Sequence, residues 1–244
     1  MFDSLTKFGI IRRAFDHKIC HLHKINPRDF TTDPYRRIDD KAFGGGPGMV
    51  MKIEPLELAL KEAVNQQELL EVTRPLRVYL SPQGKPVDQT MVNQLTQEQG
   101  IIFVCGRYEG VDERFITRNI DLELSIGDFV VSGGELPAML LIDAIMRQLP
   151  GVLNAQESAA YDSFMNGLLD YPHYTHPREY QGLAVPEVLL SGNHKQIELW
   201  RLQMSLWRTY KRRPELLHKR KITKLESRLL EQLIQDEQDQ DLSI

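Results

Sequence analysis

The first 150 residues alternate short apolar runs with longer segments in which apolar residues recur at helical spacing. Residues 18–25 alternate strictly, with Ile19, His21, His23 and Ile25 on one face and Cys20, Leu22 and Lys24 on the other. That period of two predicts a strand. Residues 77–80, 101–105 and 129–132 are apolar runs that stop at the glycine-containing loops 81–84, 106–110 and 132–134, and they read as three further strands. Helix-length segments lie at 55–64, 86–99 and 136–149. Strands alternating with helices predict an α/β fold with parallel strand pairs. Segment 136–149 is apolar nearly all round, has Pro137 in its first turn and stops at Pro150-Gly151. A helix of that kind is buried in a core or a subunit interface. Its two charges, Asp143 and Arg147, stand four apart on one face.

From 151 to 170 the apolar periodicity is lost, and the stretch reads as an interdomain linker. Beyond it, Ser191-Gly-Asn-His194 opens a helix on which Leu199, Trp200, Leu206, Trp207 and Tyr210 recur at helical spacing. Thr223-Lys-Leu-Glu226 is a capping box that opens a last helix. The predicted organisation is a ligand-binding domain over 1–150, a flexible linker over 151–170 and a small helical domain over 171–244.

At 244 residues, 41% apolar and 26% charged, the chain is sized for one or two globular domains. A net charge of −4 excludes a uniformly basic nucleic-acid coat but hides a segregation. Residues 194–228 hold 11 Lys/Arg against 3 Asp/Glu, while 231–244 hold 5 acids and no base. Arg201, Arg208, Lys211, Arg212 and Arg213 are candidate contacts to a phosphate backbone; a solvated helix face is the plain alternative. No apolar stretch approaches the ~20 residues of a membrane span. The opening Met1-Phe-Asp-Ser-Leu-Thr-Lys7 lacks a signal-peptide pattern, and Cys20 and Cys105 are too few for a disulfide framework. The expectation is a reduced, cytoplasmic protein with no membrane partner.

In open α/β sheets, ligands bind beyond the carboxyl ends of the strands, where glycine lets them approach the backbone. Three glycine loops at predicted strand ends therefore mark a site for a nucleoside-like ligand held by backbone N–H and C=O groups. The familiar phosphate fingerprints are missing. Gly44-Gly-Gly-Pro-Gly48 lacks their lysine and a preceding apolar strand, and reads as a rigid turn or a close-approach loop. An ATPase or a Rossmann dehydrogenase is disfavoured on that ground. His17, Cys20, His21 and His23 suggest a metal cluster, but on a strand Cys20 points away from His21 and His23, and no second cysteine pair completes a zinc set. No metal site is assigned. There is no Gly-x-Ser-x-Gly nucleophile elbow either. On these residues alone, a non-catalytic ligand sensor with a nucleic-acid-binding helical domain fits as well as an enzyme.

Seven longer motifs then appear in order. They are Phe43-Gly-Gly-Gly-Pro-Gly-Met49, Leu80-Ser-Pro-Gln-Gly84, Cys105-Gly-Arg-Tyr-Glu-Gly110, Ser125-Ile-Gly-Asp-Phe-Val-Val-Ser-Gly-Gly-Glu-Leu-Pro137, Asp162-Ser-Phe164, Leu169-Asp-Tyr-Pro-His-Tyr-Thr175 and Arg212-Arg-Pro-Glu-Leu216. Together they resemble the bacterial tRNA (guanine-37-N1)-methyltransferases of the TrmD type, in the SPOUT superfamily, over almost the whole chain. The resemblance implies an α/β, parallel-sheet domain with a deep trefoil knot that holds S-adenosyl-L-methionine in a bent shape, plus the small C-terminal helical domain. The general avoidance of knots would have steered a reading from pattern alone away from that topology. It also implies an obligate homodimer and methyl transfer to N1 of the guanine 3′ of the anticodon, in the anticodon stem-loop of tRNA. The donor knot alone does not choose the RNA, so another RNA substrate, such as ribosomal RNA, stays open.

Carried over by motif, the donor-binding residues are Tyr79, Leu80, Ser81, Pro82, Gly106, Glu109, Ser125, Ile126, Gly127, Asp128, Phe129, Val130, Val131, Gly133, Gly134 and Pro137. Asp162 matches the family's catalytic aspartate, the general base, and Arg147 the arginine that stabilises O6. Helix capping by Asp162 and an Asp143–Arg147 pair are the structural alternatives for these two. His173 joins the basic residues as an RNA contact. Magnesium is also implied, held in part by ligands other than protein, since no all-carboxylate cage is visible. Three departures from the family pattern stand out. The family begins with a short apolar strand ahead of Phe-Pro-Glu-Met-Phe, whereas this chain opens at Met1-Phe2, which predicts an open strand edge and uncovered core surface. Phe129 replaces a frequent tyrosine, at little cost if the contact is through the backbone. His176 replaces a frequent arginine, which predicts a weaker RNA contact there.

Overall fold

The computed structural model describes residues 1–153, 159 and 161–241. The chain divides after residue 156 into two compact units.

In the first unit α1 (Asp3–Lys7), α2 (Arg12–Asp16) and a single 3-10 turn (Pro27–Phe30) precede a small antiparallel pair, β1 (Asp39–Asp40) and β2 (Val50–Met51). Then follow α3 (Ile53–Glu68), β3 (Leu76–Pro86), α4 (Gln89–Leu95), β4 (Ile101–Cys105), α5 (Glu113–Asn119), β5 (Leu122–Ser125) and α6 (Glu135–Met146). The three long strands form a parallel sheet in the order β4-β3-β5. Period-two alternation along β3 sorts its side chains to two faces. Val78 and Leu80 are buried against Met91, Val92 and Leu95 of α4 and Leu141 and Ile145 of α6. Tyr79 points the other way, into Leu56 and Leu60 of α3 and Phe115 of α5. Helices on both faces are what an all-parallel sheet requires, because neither face can be left to water.

Three expectations are corrected. Residues 18–25 keep their alternation but form no strand: Cys20 and Leu22 pack on Ile11, Ala14, Ile142 and Met146, while the N–H groups of Ile19 and Cys20 bond to the Ala14 carbonyl at 2.8 and 3.2 Å. A helix surface, not a neighbouring strand, reads the alternation. The apolar run at 77–80 continues as β3 through Pro86. Leu80 and Lys85 both oppose Leu124, so Ser81-Pro-Gln-Gly84 leaves the ladder and rejoins it. A Cβ on Gly84 would lie 2.4 Å from the Leu124 nitrogen, so only glycine permits that return. The third strand is 122–125, not 129–132. Leu122 and Leu124 alternate with Glu123 and take the place beside β3, whereas Phe129 and Val130 are 56% and 82% exposed in a loop. The apolar helix is α6, buried through Ala138, Leu141, Ile142, Ile145 and Met146, with Leu136 and Leu140 half exposed. These two and Asp143 fall on one stripe, so the all-round apolar pattern is only partly absorbed by its own unit.

The sheet ends at β4, whose outer edge has no partner strand among the described residues. A cavity of about 910 Å³ borders it, lined by Leu22, Leu60, Ile102, Phe103, Ala138 and Ile142 among others.

The second unit contains a two-residue-strand hairpin, β6 (Glu179–Tyr180) and β7 (Leu183–Ala184), and then α7 (Glu187–Leu190), α8 (His194–Arg212), α9 (Pro214–His218) and α10 (Lys224–Asp241). Its core is Leu168, Leu206, Leu217 and Leu229. Trp200, Trp207 and Tyr210, which recur at helical spacing on α8, lie outside this cluster, which leucines fill. Packing reaches into both ends of the stretch read as a linker: Val152 is buried in the first unit's core and Leu168 in the second's.

The capping box of α10 is formed as the sequence predicts. The Glu226 N–H donates to Thr223 Oγ1 at 3.2 Å, and the Thr223 N–H donates to Glu226 Oε2 at 2.8 Å. Arg220 Nη2 donates to the other oxygen at 2.8 Å. Burial pushes the Glu226 carboxyl up, but the Thr223 backbone and the Arg220 guanidinium outweigh it and hold it below the usual range. A folded value below the unfolded one, near ~4.3 for glutamate, gives stability that is present above that pH. It is lost as pH falls through the folded value. Glu226→Ala should cost about 2 kcal/mol at neutral pH and flatten the acid-induced loss of stability, measured by urea unfolding between pH 3 and 7 (roughly the window of carboxylate titration).

Candidate active site

The parallel register brings the three glycine loops to one edge of the sheet, because Leu80 lies opposite both Cys105 and Leu124. The residues that follow each strand end are therefore neighbours. Ser81 Oγ accepts the Gln83 N–H at 3.2 Å and shapes the first loop. Ser125 is buried. Its hydroxyl accepts the Gly127 N–H at 3.2 Å and donates to the Gly127 carbonyl at 3.1 Å; that carbonyl also accepts the Phe129 N–H at 2.9 Å. The Gly134 N–H donates to the Gly106 carbonyl at 2.9 Å, which ties the loop before α6 to the end of β4. A Cβ at Gly134 would stand 2.7 Å from Cys105 Cα and 3.0 Å from the Gly106 nitrogen. Its φ of −71° suits any residue, so space alone demands glycine here.

A fourth loop joins the cluster. The Glu109 N–H donates to the Met49 carbonyl at 3.0 Å, and the Met51 N–H to the Gly110 carbonyl at 2.9 Å. These bonds seat the glycine-rich 44–48 segment beside the 106–110 loop, with Gly48 against the Glu109 side chain. Close approach is confined to Gly48; Gly44, Gly45 and Gly46 stand in open space at positive φ, as in a turn. Sequence reading missed two further elements of the site. Arg107 Nε pairs with Glu135 Oε1 at 2.9 Å across Gly133, linking the β4 loop to the first turn of α6. Arg28 Nη2 donates to the Tyr108 hydroxyl at 3.1 Å from 80 residues away. No local pattern announces either pair; only the basic character of Arg28, Arg36 and Arg37 hints at the second.

Burial pushes the Cys105 thiol up to about 12, with the Glu135 carboxylate adding to it. The thiol is neutral at physiological pH and is no nucleophile. Burial likewise raises the Tyr79 hydroxyl. Tyr79, Leu80, Ser125, Gly134 and Pro137 are buried, whereas Pro82, Glu109, Asp128, Phe129 and Val130 are exposed. The loops thus present mostly backbone donors and acceptors and neutral side chains. Such a surface suits holding a small molecule rather than forming a bond to it.

Arg147 is half-buried at the C-terminus of α6, its N–H bonded to the Asp143 carbonyl at 3.0 Å. Asp162 belongs to the second unit. Residues 161–168 are turns, so Asp162 is not the N-cap of a helix, and that alternative falls. The turn is anchored to α8: the Leu169 N–H donates to Thr209 Oγ1 at 2.9 Å, and Leu168 is buried beside Leu206.

The basic candidates on α8 differ in environment. Arg201 lies over the Tyr171 ring at 4.9 Å, and His173 packs on the same ring at 4.7 Å while bonding Asp170 Oδ2 at 2.8 Å. Lys211 pairs with Glu237, and Arg213 with Glu215. Arg208 and Arg212 make no ion pair among the described residues. His21 and His23 are exposed, and among the described residues no three His, Cys, Asp or Glu side chains come together to hold a metal. No described helix is long and apolar enough to cross a membrane.

The family model described as tRNA (Guanine-1)-methyltransferase TrmD matches residues 1–219. The chain belongs to this family. Curated relatives named tRNA (guanine-N(1)-)-methyltransferase bear out the TrmD match. The protein of Chromobacterium violaceum is 57% identical over 239 residues, covering 98% of this chain and 93% of that one. Those of Methylobacillus flagellatus and Nitrosospira multiformis are 56% and 54% identical, covering 97% and 95% of this chain and 90% and 92% of theirs. Three of the seven TrmD motifs in this chain, at 80–84, 105–110 and 125–137, are the loops gathered at the carboxyl ends of the strands, with the bridge between Gly134 and Gly106 at their centre.

Proposed function

We propose that the chain transfers a methyl group from S-adenosyl-L-methionine to N1 of the guanine 3′ of the tRNA anticodon, with Asp162 as general base and Arg147 stabilising O6. Family membership makes it a tRNA (guanine-N1)-methyltransferase. The observation that carries the finer reading is the convergence of the 81–84, 106–110 and 125–134 loops, with Gly134 pressed on Cys105 and Gly106.

The glycine-lined cradle fits a nucleoside-bearing donor, since backbone N–H and C=O groups can contact adenine and ribose where no Cβ intervenes. Tyr79, Leu80, Ser81, Pro82, Gly106, Glu109, residues 125–131, Gly133, Gly134 and Pro137 would hold it. When bound, the donor supplies an electrophilic sulfonium methyl. The remaining task falls to the protein, because guanine N1 carries a proton at neutral pH. A carboxylate with an ordinary pKa of ~3.9 is a weak base for that proton, each unit of mismatch costing ~1.4 kcal/mol. A guanidinium at O6, where charge develops, offsets that mismatch as an oxyanion site does. Asp162 removes the proton and Arg147 holds O6. No group of carboxylates among the described residues fits magnesium, and no step is assigned to it.

A knotted path is supported by the family match. A homodimer is supported by the exposed stripe of Leu136 and Leu140 with Phe129 and Val130 nearby in sequence, apolar surface that a monomer rarely leaves in water. A tRNA substrate supports a cytoplasmic location. The test is transfer of tritiated methyl from labelled donor to tRNA transcripts with and without the target guanine, followed by nucleoside analysis. Label in 1-methylguanosine only in the guanine-bearing transcript is expected. No incorporation, or equal incorporation in both, overturns the reading in favour of a ligand sensor or a different RNA target.

A further inference from the structure

The acidic end of α10 lies on the basic face of α8. The two helices share the leucine core through Leu206 and Leu229. Lys211 Nζ donates to both carboxylate oxygens of Glu237, at 2.8 and 2.9 Å. The same ammonium stands 5.2 Å from the centroid of the Trp207 ring, and Trp207 stacks on Tyr210 at 5.7 Å. Both rings lie outside the core and keep exposed surface. Glu237 sits in the 231–244 segment with its 5 acids and no base, beyond residue 219 where the family match ends.

A cation flanked by a stacked aromatic pair, with two oxygens of one anion on it, has the chemistry of a nucleotide site. Phosphate oxygens take the place of the carboxylate, and a base covers a ring face. We propose that Lys211, Trp207 and Tyr210 form a subsite for one unpaired nucleotide of the substrate RNA, and that Glu237 fills it in the free chain as an internal stand-in for the phosphate. The Lys211–Glu237 pair is 47% and 38% exposed, so it stabilises the fold weakly and yields to a competing phosphate. The proposal rests on reading α8 as the RNA-contacting face.

The test measures Kd of the full-length chain for the cognate tRNA transcript across a salt series from about 50 to 500 mM. Glu237→Gln removes the charge at constant shape. It should tighten Kd about two- to fivefold at low salt, steepen the salt dependence by about one phosphate contact and leave the thermal midpoint unchanged. In a Lys211→Ala background the gain should vanish. In a Trp200→Phe background the remaining indole, Trp207, should be quenched by tRNA and not by polyphosphate. An unchanged or weaker Kd for Glu237→Gln, a gain that persists without Lys211, or an unquenched Trp207 overturns the subsite. Arg212→Ala separates the two levels: it should weaken binding and reduce the salt slope. If it does so while Glu237→Gln has no effect, only the subsite falls; if it changes nothing, the reading of α8 falls with it.

Discussion

Asp162→Ala abolishes methyl transfer in all but the most sensitive assay, a loss of ~10²–10⁴-fold in the single-turnover rate, while donor affinity measured by calorimetry stays within about twofold. The asymmetry follows from the assigned role. A general base acts on the guanine proton in the transition state, and a group needed only there changes rate without changing ground-state binding of the other substrate. The loops proposed to hold the donor lie wholly in the first unit and Asp162 in the second, so removing its carboxylate leaves their hydrogen bonds in place. The turn that carries it is fixed by Leu168 and Leu169 on α8, not by the Asp162 side chain's helix-capping ability, since no helix follows it. Equal losses of rate and donor affinity would show that Asp162 shapes the donor site instead and would remove it from the role of base.

Gly134→Ala should weaken donor binding by ~10–10²-fold through misplacement of the loops by a fraction of an ångström and destabilise the fold by ~1–3 kcal/mol. The added methyl meets Cys105 Cα at 2.7 Å and the Gly106 nitrogen at 3.0 Å, both backbone atoms of a sheet strand or its immediate continuation. Backbone cannot swing aside as a side chain does, so β4 and the 132–134 loop must separate and the bond from Gly134 N–H to the Gly106 carbonyl must lengthen. Gly133→Ala is the matched control. Its Cβ would meet Glu135 Oε2 at 2.6 Å and Arg107 Nε at 2.9 Å, the ends of flexible side chains at a half-exposed ion pair. Its effect on donor affinity should be several-fold smaller. Calorimetric titration of both variants with S-adenosyl-L-methionine, beside their thermal unfolding, decides the matter. Comparable effects at the two positions would mean that the close passage at Gly134 is not what shapes the site.

The glycine loops are legible in the sequence because their chemistry is local. Apolar runs at 77–80 and 101–105 ending in Ser81-Pro-Gln-Gly84 and Gly106-Arg-Tyr-Glu-Gly110 specify strand, break and close approach within a few residues. The same local reading failed at 129–132, where Phe129-Val-Val131 looks like a strand yet lies in a loop. Whether an apolar triplet joins a sheet depends on which segment takes the ladder beside β3, and Leu122–Ser125 takes it. It failed again at 18–25, whose alternation is satisfied by α2 and α6.

Capping, periodicity and charge segregation are short-range, so Thr223-Lys-Leu-Glu226, the 3.6-residue spacing of α8 and the acidic 231–244 segment could be read directly from residue order. Partners far apart along the chain could not. The Arg107–Glu135 bridge, the Tyr108–Arg28 bond, the capture of Lys211 by Glu237 and the backbone contact at Gly134 each join residues separated by 26 to 80 positions. Composition permits many such pairings at similar energy. Only the closed packing of helices on a parallel sheet, and of α10 on α8, selects which of them form, because burial of the apolar faces fixes the backbones that bring these particular groups within reach.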